Sequence, residues 1–540
     1  MSVTQPYRRY RAPRVDNAAL VEPDWSGLLE AIDLQHTAPP RSDVAFFGEP
    51  LQRVAVEARG DLIEAAERFT SQYADLAKRA DPRGPIVLSG HQPELFHNGV
   101  WFKNWALARL GRDTGAAAVH LLIDSDLCRE PSVRVPAGPY EAPRGEAIDY
   151  DALAASVPHE ERPIVDRERF GSFAQRVASS VAPWIERPLA LDVWRDATEA
   201  ADAGQPLGEA LSRARHRFER GEGSPSLELP ISQICDTRPF RLFLLELIGR
   251  AERTRKAYNA ALDEYRQAHR VRSAAQPLPD LQADGDRVET PFWVWRTDDP
   301  TRRPLFVTHR DGELLLDNGA TGAAAWSAAI DAPEGEGVEL ALARLGSLRE
   351  RGVKLRSRAL MTTLYGRLVL SDLFLHGIGG AKYDEVTDHM AERLFGSPPP
   401  PHAVLTATLR LPLGLEATDA DEPRRLTQER RELRYHPERA LGPAAKGLPE
   451  RAAALLAKKR RWIAEGAEGA ELAERHRDIE AANAALRPFV EGRAEEIDRG
   501  LQSLAERRVT DALLRSREHA FVLFSADDIR RRLLPLAGWR

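Results

Sequence analysis

The sequence predicts an α/β fold in which a parallel-sheet core is split by insertions and followed by a long helical arm. Three observations predict it. Ile86-Val87-Leu88, residues 100–110 and Val119-His120-Leu121-Leu122-Ile123 read in succession as strand, helix and strand. Leu368-Val369-Leu370, residues 383–395 and residues 404–411 repeat that order far downstream. Beyond Pro449 the chain turns to Ala, Glu, Arg and Leu. There Ile479, Ala482, Leu486, Val490, Ala494, Ile497, Leu501 and Leu504 recur at steps of three and four, as in a helical hairpin or coiled coil.

From the beginning, residues 1–13 hold Arg8, Arg9 and Arg11 but no apolar run, unlike a secretory signal. No stretch approaches the roughly 18 apolar residues of a membrane span, so a soluble protein without a membrane partner is expected. Residues 62–78 have helical apolar spacing, and Asp81-Pro82-Arg83-Gly84-Pro85 breaks it. Residues 131–224 alternate Pro-rich loops with short helices. Residues 240–268 predict one helix, striped by Leu242, Leu245, Ile248, Tyr258, Leu262 and Tyr265. Residues 291–296 and 305–308, separated by polar 297–303, predict a β-hairpin with a further strand at 314–316. Residues 397–401 are a Pro-rich stop. Phe521-Val522-Leu523-Phe524 predicts a last strand, and Ser525 can cap a helix over 529–534. The expected segments are 1–80, irregular and helical; 81–135, the first half-core; 136–340, a connecting region; 341–440, the second half-core; 441–518, the arm; and 519–540, a strand-helix unit.

With 540 residues, the chain exceeds a single core of roughly 100–150 residues. A net charge of -6 gives no global basic field, so nucleic acid is not an expected partner. Cys128 and Cys235 are far apart and lack a Cys-x-x-Cys neighbour, which suits a reducing cytoplasm and supports neither a disulfide framework nor a thiolate zinc site.

Chemistry concentrates where strands end. Between the first strand and helix lies Ser89-Gly90-His91-Gln92-Pro93-Glu94-Leu95-Phe96-His97-Asn98-Gly99. Ser89, Gly90, Asn98, Gly99 and Lys103 could hold a phosphate, because glycines allow close approach and a helix start favours anions. His91, Gln92 and His97 could move or share protons. The alternative is an ordinary βα turn whose histidines satisfy backbone groups. Asp124 and Asp126, ending the next strand, suit a divalent cation, a ribose hydroxyl or a substrate amine; capping a helix is their bland role. Gly377, Gly379 and Gly380 precede a helix start holding Lys382, Asp384 and Glu385, suited to phosphate contact or acid-base work, or else a packing turn. Neither a Walker loop nor a complete dinucleotide fingerprint is present, and no compact metal-ligand motif appears.

Two segments together resemble the BshC family, the cysteine-adding enzymes of bacillithiol synthesis. Leu88 to Phe96 through Lys103 resembles that family's Thr-Gly-Gln-Gln-x-x-Leu-Phe loop, and Leu122 to Asp126 its acidic strand end. Arg358-Ala359-Leu360 through Gly380 resembles its Leu-Pro…Ile-Gly-Gly-Pro-Gly-Glu segment, with His91 in place of the first glutamine and Ala381-Lys382-Tyr383 in place of Pro-Gly-Glu. The resemblance implies a Rossmann-like core with connecting segments, a coiled-coil domain able to form a homodimer, and amide formation between cysteine and a glucosaminyl-malate amine. The expectation is a cytoplasmic ligase or transferase joining a small carboxylate to an amine-bearing small molecule, using ATP or ADP chemistry and, as an open option, Mg2+. A nucleotidyl or glycosyl transferase, or a non-catalytic scaffold with a helical arm, are the alternatives.

Overall fold

A computed structural model describes residues 10–39, 43–76, 79–128, 130–139, 143–273, 276–333, 335, 337–413, 421–441, 447–465 and 471–539. Its larger unit gathers residues 10–140, 146–412 and 517–540, and a smaller one is built mainly from residues 413–516.

The larger unit is mixed α/β around a six-stranded sheet. Its strands are β1 (Ala18–Glu22), β2 (Ile86–His91), β3 (Ala117–Leu122), β4 (Leu227–Pro230), β5 (Leu373–His376) and β6 (His402–Thr408), in the spatial order β1-β6-β5-β2-β3-β4. All neighbours are parallel except β1, which runs antiparallel to β6 at the edge. The β2-helix-β3 unit matches its sequence expectation, its helix α1 spanning Asn98–Thr114. The second helix, α2, spans Ile378–Phe395 and leads from β5 to β6.

The helices lie on opposite faces. Gly111 of α1 leaves room for Ala118, its added Cβ coming within 2.8 Å of the alanine Cβ, and the Thr406 hydroxyl donates to the Gly99 carbonyl at 3.1 Å. On the other face Val386, Met390 and Ala391 of α2 join Ile86, Leu88, Val119, Leu121 and Phe374 in the main core. From β2 the chain moves one way to β3 and β4, then returns to place β5 on the other side of β2. The reversal point therefore lies between β2 and β5, and the carboxyl ends of strands at such a point border a ligand crevice.

Several elements differ from the sequence reading. The predicted 62–78 helix starts earlier and ends sooner, at Leu51–Thr70; residues 77 and 78 lie outside the described residues. The single 240–268 helix is two, Arg238–Ile248 and Ala251–His269, broken where Gly249 sits 2.8 Å, measured from an added Cβ, from both Phe47 and Pro333. Leu368-Val369-Leu370 is not a strand but a π-helical turn, and β5 begins at Leu373. A short buried apolar run fits either geometry; here the turn is fixed by Arg367, whose Nε donates to the Pro400 carbonyl at 2.8 Å. Phe521–Leu523 is likewise a 3-10 turn, its first amide donating to Phe96. The hairpin strands continue through the polar 297–303 stretch, as Arg287–Arg296 and Asp299–Arg310. They belong to a second, antiparallel sheet completed by Glu313–Asp317, Ser327–Asp331 and Val353–Ser357.

In the smaller unit, helices Glu422–Tyr435, Glu450–Glu465, Glu471–Leu486 and Glu491–Leu514 close over Leu433, Leu456, Leu486, Val490 and Ile497. The predicted apolar stripe is largely buried, but a 3-10 turn at Arg487–Phe489, containing Pro488, divides the helix that carries it. Lys459, 1% exposed, binds Glu438 at 2.6 Å and Asn483 at 2.7 Å. Among the described residues, no helix is long and apolar enough to cross a membrane.

Candidate functional site

The parallel register pairs Ser89 with Leu375, which brings Gly90-His91 and His376-Gly377 out of the sheet side by side. The two glycine-bearing segments thus start from adjacent strands. Their side chains then diverge.

In the first segment, Ser89 is fully buried and donates to the Leu375 carbonyl at 3.3 Å, tying β2 to β5. The His91 Nδ1 donates to the Gln92 carbonyl at 3.1 Å, and burial, with Lys103 nearby, lowers its pKa to about 3. His97 is the N-cap of α1: its Nδ1 accepts from the Gly99 amide at 3.0 Å, leaving Nε2 toward Glu518 at 3.2 Å. Burial lowers the His97 pKa to about 4. Both rings are therefore neutral at pH 7. Gly99 is hemmed in by Arg517 and the Ala407 carbonyl, so the helix start is covered. Asn98 is fully buried, with no partner for its amide among the described residues. Lys103 donates to the Gly90 carbonyl at 2.9 Å, and burial brings its pKa down to about 8.

In the second segment, Gly379 and Gly380 lie in the first turn of α2 instead of a loop before it, with Gly377 as N-cap. Gly380 is required by a close approach: a Cβ there would stand 2.6 Å from the His376 ring. Asp384 points inward, 2.5 Å from His376 Nε2 and 3.1 Å from Arg367. Although burial opposes its charge, His376 and Arg367 outweigh that and hold the carboxyl below its ordinary value. Glu385 turns to the opposite wall and accepts from His269 Nε2 at 2.7 Å, while Lys382 is exposed.

A pocket of about 190 Å³ opens beyond the carboxyl ends of β2, β3 and β4, lined in part by Pro93, Asp124, His159, Glu160, Gly208 and Ser232. Asp124 accepts from the Ser232 amide at 3.0 Å and from its hydroxyl at 2.5 Å. It thereby caps the short Ile231–Cys235 helix as well as facing the pocket. The neighbouring His159 and Glu160 are brought in by a bridge between Leu127 and Pro158, and the Glu160 amide donates to the Asp124 carbonyl at 2.9 Å. Glu94 of the first loop reaches His159 Nε2 at 3.3 Å. Gly208 allows the wall to close, since a Cβ there would come within 2.6 Å of Pro93.

The two carboxyls of this pocket are driven apart. The second sheet holds Glu160 in its charged form: Arg356 donates to it through Nε at 2.8 Å and Nη2 at 3.1 Å, and Lys354 at 3.1 Å. Burial works against that charge, but these cations prevail and lower the Glu160 pKa. Burial, then the charge of Glu160, raises Asp124 to about 7. Neighbouring carboxyls with separated proton affinities are a means of running proton transfer at neutral pH. Asp126 is engaged otherwise, accepting from Gln92 at 2.7 Å and Arg302 at 2.9 Å.

Thus Asp124 stands in the pocket, Gln92 and Asp126 bond each other outside its lining, Asp384 turns in toward His376 and Arg367, and Glu385 and Lys382 line a separate cavity. His159, Glu160 and Arg356 had no signal beyond being polar residues in unpatterned sequence. Among the described residues, no three His, Cys, Asp or Glu side chains converge as a metal-ion site. No protein-family model matches the chain, and no curated protein matches it.

Proposed function

We propose that the chain is a BshC-like carbon-nitrogen ligase or transferase that joins a small carboxylate, such as cysteine, to an amine-bearing acceptor. The observation that carries this reading is the pocket at the strand ends in which the buried Asp124 carboxyl lies beside Glu160 and Ser232. Three carboxyls, Asp124, Glu160 and Glu209, line that pocket; Glu160 is paired with Arg356 and Lys354 and Glu209 with Arg213, so Asp124 is the carboxyl left to meet an amine. Asp124 takes the proton that the amine must lose as its nitrogen attacks the acyl carbon. Glu160, held charged by Arg356, keeps Asp124 basic enough to accept it.

A free carboxylate needs activation before an amine can displace oxygen from it, and a phosphorylated donor supplies that activation. Gly90 and Gly377, leaving adjacent strands of a Rossmann-like core, border the crevice where such a donor would approach. Lys103 supplies positive charge behind it. The neutral rings of His91 and His97 organise the backbone. The helical unit acts as a coiled-coil arm joining two copies in the cytoplasm.

The test is to incubate the purified chain with ATP, isotopically labelled amino acids and glucosaminyl malate, and to look for an amide by mass spectrometry. Asp124→Asn should lower the rate by about 10²–10⁴-fold, as loss of a general base does. Absence of any new carbon-nitrogen bond with folded protein, or full activity of Asp124→Asn, would reject the proposal.

A further inference from the structure

The walls of the Asp124 pocket restrict what can enter it. Its volume of about 190 Å³ lies below the usual range for small-molecule sites, ~300–1,000 Å³. Its apolar lining is Pro93, Pro206, Pro230, Leu122 and Gly208. A proline ring has no side-chain torsion to swing aside, and Gly208 stands so near Pro93 that an added Cβ would meet its Cγ at 2.6 Å. The buried polar groups of the lining are largely engaged. Glu160 is held by Arg356 and Lys354, and Glu209 by Arg213. The Ser232 hydroxyl donates to Asp124, and Gln233 is exposed. His159 turns Nε2 to Glu94, which leaves Nδ1 of the neutral ring as a buried acceptor with no partner among the described residues. Asp124 alone of the three carboxyls has no cation in contact among the described residues.

The geometry points to a primary amine at the end of an unbranched carbon chain as the ligand of this pocket. An ammonium brings both the charge and the donors that Asp124 lacks. The chain behind it lies against the prolines and Leu122, where apolar surface leaves water. An alcohol of the same length brings one donor and no charge, and a carboxylate meets Asp124 with like charge. An amine on a ring carbon, as in an amino sugar, carries two carbon branches into a space with rigid walls. Ring hydroxyls would also face proline and leucine without partners, which is costly. The inference deepens the ligase reading by naming the class of its acceptor, and it sets that acceptor apart from the ring-borne amine of the family that the sequence resembles. It rests on the ligase reading for the amine's fate, though not for its binding.

Ligand-detected NMR titration of the full chain with propylamine, 1-propanol, butyrate and cyclohexylamine, at about pH 8 so that Asp124 is ionised, tests it. Propylamine should bind at least about tenfold more tightly than each of the others. Asp124→Asn should weaken propylamine by about tenfold and leave 1-propanol within about twofold. Leu122→Ala, which widens the wall, should admit cyclohexylamine; where that variant does not fold, the ligand series on the parent decides. Cyclohexylamine or 1-propanol matching propylamine on the parent, no propylamine binding below about 10 mM, or binding unchanged in Asp124→Asn overturns the inference. Incubation with ATP, labelled amino acids, glucosaminyl malate and propylamine separates it from the ligase reading. An amide on propylamine supports both. An amide on the sugar alone overturns this inference and leaves the ligase reading standing, whereas propylamine binding without any amide does the reverse.

Discussion

Replacing Asp124 by asparagine should change how stability depends on pH. The Asp124 carboxyl is 8% exposed, and burial followed by Glu160 raises its pKa from 3.8 to about 7. Its contribution to stability is fully present below the unfolded value and is lost as pH rises through the folded one. Between those limits the unfolded chain ionises while the folded chain stays protonated. A shift from 3.8 to about 7 corresponds to about 4 kcal/mol at 1.36 kcal/mol per unit. Asparagine copies the protonated acid: its oxygen can accept from the Ser232 amide and its nitrogen can donate to the Ser232 hydroxyl. Urea unfolding of both proteins from pH 4 to 9 is the assay. The unfolding free energy of Asp124→Asn relative to the parent should climb between about pH 4 and 7, by up to about 4 kcal/mol, and level off above. Glu160→Gln in the parent should move the upper end of that climb to lower pH. A difference that stays flat across the range would refute the argument that the Asp124 carboxyl keeps its proton well above the ordinary carboxylate range.

Four further outcomes follow from packing and charge. Gly208→Ala should cost about 1–3 kcal/mol in denaturant unfolding, because its Cβ meets the rigid Pro93 ring at 2.6 Å. Arg367→Leu takes the guanidinium partner from the buried Asp384 carboxylate, leaving it to His376, and should cost about 3–5 kcal/mol at neutral pH. That penalty should shrink in acid: the Asp384 pKa is depressed, so its contribution is present above the ordinary carboxylate value and lost as pH falls. Lys459→Met should destabilise the helical unit by about 3 kcal/mol, read by hydrogen exchange of its amides, since Glu438 and Asn483 lose their shared donor. The His91 ring should show no titration by NMR between pH 5 and 8, its pKa being lowered to about 3 by burial.

The parts of the fold that were legible in the sequence are those with strong local periodicity. The β2-α1-β3 unit has apolar strands, a Gly-rich junction and a helix ended by Gly115 in the left-handed conformation, and each signal agrees with the others. Edge strand β1 and the four-residue β4 escaped notice because strands this short carry little pattern of their own. Leu368-Val369-Leu370 and Phe521-Val522-Leu523-Phe524 misled for a related reason. An apolar run records burial, whereas the choice between strand and turn came from Arg367 in one case and from the Phe96 backbone in the other.

The site divides along the same line. Asp124 was visible because it ends a strand, but the residues that set its chemistry were not. Glu160 is anchored by Arg356, 196 residues away in sequence, and both look like ordinary surface charges until the second sheet packs against the strand ends. The histidines of the first loop show the reverse. Their residue type suggests proton transfer, yet His97 uses its ring nitrogen to cap a helix and His91 donates to the next carbonyl, while burial keeps both neutral. Which polar residue titrates near neutrality is a property of its surroundings. In this chain those surroundings favour a strand-end carboxyl over the two imidazoles beside it, so the acidic pocket, more than the glycine loop, is where substitutions should first separate chemistry from folding.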